Sequence, residues 1–172
     1  MMKHRVRWAA ALIVIGLAGC QADRVATDTT SNLPPAQTTV AAGADIRQLY
    51  QDKTWLWADG AGYFAPSGTF TAWMGSGDKT TYAKGFWWVN DQGGMCFDAV
   101  WHVKDSANPA VTCFGHRTAG NVWYQKKDPA GAWYVFKSDP AKPDDEFQKL
   151  KAGDVVEAQL QAARTELGVT TP

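Results

Sequence analysis

Between Thr54 and Ser138, apolar and polar residues alternate in short runs, and each run ends in turn chemistry. A period of two puts successive side chains on opposite faces of an extended chain, the pattern of a half-buried strand. The runs predict strands near residues 54–57, 61–65, 69–75, 80–90, 95–104, 110–117, 121–127 and 132–138. Between them stand Asp59-Gly60, Ala65-Pro66-Ser67-Gly68, Gly75-Ser76-Gly77-Asp78, Asp91-Gln92-Gly93-Gly94, Asn108-Pro109, Ala119-Gly120-Asn121 and Asp128-Pro129-Ala130-Gly131. Gly, Pro, Asn and Asp at such points reverse the chain. About eight short, regularly spaced strands imply a mainly β fold, a small antiparallel β-barrel or sandwich.

The period changes on both flanks. In Ala44–Gln51, Ile46, Leu49 and Tyr50 share one face at helical spacing, with Asp45 placed to cap the segment or sit in its first turn. From Asp144 to Leu167, Val156, Leu160, Ala163 and Leu167 form a helical stripe. That segment reads as one or two helices with Gly153 as a break, packed against the barrel.

The first twenty residues follow neither pattern. Lys3, Arg5 and Arg7 come first, then an apolar run from Trp8 to Ala18, and no acidic residue occurs before Asp23. The run is shorter than the roughly 20 residues a helix needs to cross a bilayer. A basic segment followed by a short apolar one is the layout of a secretory signal. It ends Leu17-Ala18-Gly19-Cys20, which resembles the lipobox of bacterial lipoproteins. The resemblance implies cleavage before Cys20 and its lipidation, tying the mature chain to a membrane. Several acyl chains, at about 0.8 kcal/mol per buried CH₂, hold a protein there stably. Gln21 after the cysteine, in place of Asp, points by analogy to the outer membrane, facing the periplasm. Residues 20–43, rich in Thr, Ala, Ser and Pro, read as the lipidated Cys and a flexible tether. The expected divisions are thus 1–19 signal, 20–43 tether, 44–140 β-domain and 141–172 C-terminal helical segment.

Loss of Lys3, Arg5 and Arg7 would leave 14 bases (17 less three) against 17 acids, a formal charge of −3. No basic cluster exceeds Lys126-Lys127, so no nucleic-acid partner is expected. With Cys20 carrying lipid, Cys96 and Cys113 remain as an even pair in an oxidising compartment, which predicts a disulfide. A hairpin register summing to 209 places them opposite one another, with the turn around Asp105 to Asn108.

Eight tryptophans lie in the β region: Trp55, Trp57, Trp73, Trp87, Trp88, Trp101, Trp123 and Trp133. Phe86-Trp87-Trp88 must put large aromatics on both faces of one strand. One face fills the barrel. The other is covered by helices or forms a binding surface, which makes Trp87 and Trp88 candidate binding residues.

Catalytic chemistry is thin. His102 shares a face with Asp98, but i and i+4 on a strand lie about 13 Å apart. His116 falls on the other face, so the histidines do not pair and no metal or cofactor is expected. Gly75-Ser76-Gly77 reads as a hairpin loop, not a nucleophile turn. A polar pocket, if present, is expected among Arg117, Tyr124 and Gln125.

The ordered set Lys53-Thr54-Trp55-Leu56-Trp57, Gly60-Ala61-Gly62-Tyr63-Phe64-Ala65, Gly68-Thr69-Phe70, Gly85-Phe86-Trp87-Trp88-Val89, Cys96-Phe97, Cys113-Phe114-Gly115-His116-Arg117, Tyr124-Gln125 and Trp133-Tyr134-Val135-Phe136 resembles a family of uncharacterised proteobacterial envelope proteins, a domain of unknown function. The resemblance covers residues 45–140. It implies the domain boundary and the cysteine pairing and carries over no catalytic residue. Three functions then compete: a non-enzymatic, lipid-anchored envelope domain that binds a protein or cell-wall partner, as an inhibitor would; a lipocalin-like carrier of a small apolar ligand; and an envelope enzyme using His102, Asp98 or Arg117. The first is the leading expectation, because tether, anchor, the lack of a catalytic set and the aromatic surplus all suit it; the tryptophan count suggests a filled barrel, which ranks the carrier lower.

Overall fold

The computed structural model describes residues 34–169. Cys20 and the signal-like segment lie outside them. Ten antiparallel strands form one sheet: β1 Thr39–Val40, β2 Lys53–Leu56, β3 Gly60–Phe64, β4 Thr69–Met74, β5 Thr81–Val89, β6 Gly94–Val103, β7 Ser106–Ala119, β8 Val122–Lys127, β9 Tyr134–Lys137 and β10 Leu150–Ala152. Their order is β10-β2-β3-β4-β5-β6-β7-β8-β9, with β1 added beside β7. The sheet curls into a half-barrel, as a strongly twisted sheet of this width must. All eight expected strands are present.

The concave face holds the core. Phe64, Phe70, Ala72, Ala83, Trp87, Met95, Phe97, Ala99 and Phe136 are buried there. Phe70 stacks on Phe97 with centroids 4.3 Å apart. One row of paired inner positions runs Trp55, Gly62, Ala72, Ala83, Trp101 across five strands. Three small residues between two tryptophans leave a hollow into which larger rings fold. A Cβ on Gly62 would lie 2.8 Å from the Phe70 ring and 3.0 Å from the Trp57 indole, so the glycine is what lets those rings in.

Helix α1, Gly43–Tyr50, plugs one end of the curl. Ile46 and Tyr50 are fully buried, and the Tyr50 ring meets Phe64, Phe136, His116 and Trp55. Asp45 sits in its first turn and makes no side-chain cap. Helix α2, Glu157–Glu166, lies on the convex face, where Leu160, Ala163 and Leu167 pack on Tyr82 and Trp73. The stripe read from the sequence is the packed one. The segment between β9 and α2 covers the seam of the half-barrel. Phe147 stands edge-on to Phe136 at 6.2 Å, and Glu146 accepts a 2.9 Å hydrogen bond from the Trp55 indole.

Three boundaries differ from expectation. Residues 39–40 pair with Arg117 and Thr118, and Ala41 is buried, so the packed fold starts inside the stretch read as tether. Leu150–Ala152 forms a strand against β2, not a helix. A free sheet edge outweighs helix propensity there, because pairing satisfies its exposed backbone groups. Strand β7 begins at Ser106, with the hairpin turn at Lys104-Asp105. Pro109 marked a turn in the sequence, yet it sits within β7 opposite Val100. β8 pairs only with residues 114–119, so Pro109's missing N–H faces an open edge where none is needed.

Candidate functional site

The cysteine register is the expected one: Cys96 pairs with Cys113 across β6 and β7, and the two form a disulfide. It lies on the convex face beside Trp88. Strand alternation splits the aromatic triplet as anticipated. Trp87 is buried, donates to the Ala65 carbonyl at 2.8 Å, and has Arg47 over its ring at 5.0 Å. Phe86 and Trp88 point outward, 70% and 39% exposed. Val111, 59% exposed, lies beyond Asp98 in the row that starts at Phe86.

The polar trio does not form a pocket. Arg117 and Tyr124 are paired on the convex face, while Gln125, one residue on, points inward. Arg117 is occupied with the chain's approach to the fold: its guanidinium donates to the Thr38 hydroxyl and to the Thr38 carbonyl, each at 2.7 Å. His102 stacks flat on Tyr82 at 4.5 Å.

Gln125 belongs to a buried cluster that the sequence reading did not assemble. Register places it opposite His116 on the inner face. Its amide donates to the Tyr50 hydroxyl at 2.5 Å and contacts His116 Nε2 at 2.9 Å, and Tyr50 Oη is also 2.9 Å from that nitrogen. Tyr134 donates to the Gln125 carbonyl oxygen. His116 Nδ1 lies 3.2 Å from the Gly93 carbonyl, which can only accept. That contact places the ring proton on Nδ1 and leaves Nε2 as the acceptor. Burial pushes the imidazole down to about 4, against the upward pull of the Gly93 and Phe114 backbone contacts. Burial, reinforced by Tyr134, likewise holds the Tyr50 hydroxyl well above its ordinary value. His116 is 1% exposed, and among the described residues it lines none of the five main cavities. The cluster ties the α1 plug to β7 and β8. The signal for it was in the chain: a two-residue turn at Gly120-Asn121 makes partners sum to 241, hence 116 with 125.

The end opposite the plug is open. A cavity of about 330 Å³ lies between inner-face residues: Trp55 and Phe97 at its floor, Trp57, Met74 and Trp101 on one side, and Thr112, Phe114 and Lys127 on the other. The Trp57 and Trp101 indoles stand 6.2 Å apart. The volume is at the lower end of the roughly 300–1,000 Å³ typical of small-molecule sites. The expectation of a filled barrel holds for the plugged half. At the mouth the tryptophans stand as walls, because the small row beneath them takes only part of each ring. A larger groove of about 630 Å³ runs outside, between the turns at 56–61 and 73–79 and the start of α2. It is walled largely by turns and shares Trp57 with the mouth cavity.

Among the described residues, no three His, Cys, Asp or Glu side chains converge as a metal site, and no helix is long and apolar enough to cross a membrane. Fold and site together define a disulfide-bridged antiparallel half-barrel with a plugged end and an aromatic mouth. Residues 14–156 match a family described as protein of unknown function (DUF995), and the chain belongs to that family. No curated protein and no solved structure matches the chain.

Proposed function

We propose that this chain is a non-enzymatic binding protein of the cell envelope that holds a small apolar ligand in the mouth of its half-barrel. The carrying observation is the contrast between the two ends. The buried proton-active group, His116, is sealed among its partners, whereas the aromatic hollow opens to solvent. Burying a ligand against the five aromatic residues of this wall is favourable without any catalytic group. The Leu17-Ala18-Gly19-Cys20 sequence supports lipidation at Cys20 and tethering to the outer membrane, facing the periplasm. β1 joins β7 at residues 117–118, six residues from Thr112, or about 20 Å along a strand. The described chain therefore joins β7 at the plugged end.

A direct test uses secreted Cys20→Ser protein titrated with decanol below its solubility limit, followed by tryptophan fluorescence. Saturable binding that Trp101→Ala weakens at least tenfold is expected. No saturable change at any concentration would sink the reading.

A second reading keeps the partner macromolecular: a protein or cell-wall partner docking on the convex face. Phe86, Trp88 and Val111, all exposed and spread over β5 and β7, favour it. Crosslinking from native envelopes should then lose its product with Phe86→Ser plus Trp88→Ser and keep it with Trp101→Ala.

A further inference from the structure

We propose, resting on the mouth-cavity reading, that the ligand is a single-chain amphiphile with a carboxylate head, its tail between Trp57 and Trp101 and its head on Lys127. Lys127 is the sole charged residue of the cavity wall, and no acidic residue lines it. The adjacent charges are already matched: Lys126 pairs with Asp128 at 2.8 Å on the other face of β8. Among the described residues neither ion pair involves Lys127. Lys127 sits across from Phe114, so Thr112, two residues back on β7, is its diagonal neighbour on the same inner face. Diagonal neighbours have Cα atoms about 7–8 Å apart. An ammonium on a flexible stem and a hydroxyl at that spacing suit a carboxylate held at the rim. Among the described residues the Thr112 hydroxyl makes no side-chain hydrogen bond, so it can donate to a head group at the rim.

The tail is set by the hollow. Its walls are aromatic rings and Met74, with no charge below the rim. A volume of 330 Å³ holds a chain of medium length and excludes a two-chain phospholipid bound whole. A neutral ligand would leave the ammonium unused; a cationic one would be repelled by it.

The experiment compares three ten-carbon probes on the Cys20→Ser protein at low salt: decanoate, decanol and decyltrimethylammonium. Decanoate should bind roughly five- to tenfold more tightly than decanol, the worth of one charge-assisted hydrogen bond at a partly wet site. The ammonium probe should bind most weakly. Through hexanoate, octanoate and decanoate, affinity should rise about fourfold per added methylene until the hollow is full. Lys127→Gln should erase the preference for decanoate over decanol, while Lys126→Gln should preserve it. Lys127 is exposed, so the variant should fold normally, which its thermal midpoint checks. Equal binding of decanoate and decanol, or an unchanged preference in Lys127→Gln, overturns the head-group assignment and leaves the cavity reading standing. Failure of all three probes removes both. Sedimentation with anionic phospholipid vesicles, without binding of free decanoate, also overturns the proposal, by making the mouth a membrane-docking surface.

Discussion

His116 shows how strongly burial governs a single residue here. Its imidazole titrates near 6.5 in an unfolded chain and is pushed to about 4 in the fold. Between those values the unfolded state binds a proton that the folded state does not, so stability rises with pH across the window. The full stability is present above about pH 6.5 and is lost as the pH falls toward 4, by roughly 3 kcal/mol. Denaturant midpoints at pH 7 and pH 4.5 check the slope; His116→Gln should flatten it. Tyr50→Phe removes one hydroxyl from the same cluster and leaves fewer partners for Gln125 and His116. It should cost about 1–2 kcal/mol at neutral pH, read by urea unfolding. Gly93 is the cluster's backbone support. Its φ of +83° is costly for other residues, and an added Cβ would lie 2.6 Å from the His116 carbonyl oxygen. Gly93→Ala should therefore destabilise by more than Tyr50→Phe in the same assay. Half of this cluster was readable from hairpin parity, since 116 and 125 follow from the Gly120-Asn121 turn. The other half was not: Tyr50 arrives from a helix seventy-five residues before Gln125, and nothing local in the chain marks that contact.

At the scale of elements, period-two alternation located every strand whose two faces differ. It failed where other forces decide. β10 is three residues long and exists because β2 would otherwise be an open edge; its sequence, Leu-Lys-Ala, carries a helical preference that the pairing overrides. β1 is two residues long and held in place by Arg117 on Thr38, a tertiary contact without a sequence signature. The Arg117-Tyr124-Gln125 trio was misread for a simpler reason: neighbours at 124 and 125 must face opposite ways. The Cys96–Cys113 bridge joins the two longest strands and closes a loop of 17 residues. Its reduction should lower stability by about 3 kcal/mol in the chain-entropy account, measured as a fall in urea midpoint with and without a thiol reductant. Leu160→Ala would open a hole between α2 and Tyr82 and should cost about 2–5 kcal/mol by the same assay, without changing ligand binding.

For the whole molecule, the fold class was legible and the cavity was not. Composition showed a surplus of tryptophan, but the hollow depends on which side chains share a row. Trp55, Gly62, Ala72, Ala83 and Trp101 become neighbours only once five strands are in register. With α1 closing one end, the aromatic mouth lies at the other, and its floor is shared with the core through Trp55 and Phe97. A ligand held there should stabilise the fold by mass action, raising the thermal midpoint with concentration.

Two faces of the molecule compete as the binding surface, and their tryptophans differ: Trp57 and Trp101 inside the mouth, Trp88 on the convex side. The decisive measurement is therefore an NMR titration of the indole N–H resonances, assigned by single Trp→Phe replacements, with decanoate as the probe. Saturable shifts at Trp57 and Trp101, with Trp88 still, are the result predicted for a ligand in the mouth. Shifts confined to Trp88, or none at all, would contradict it.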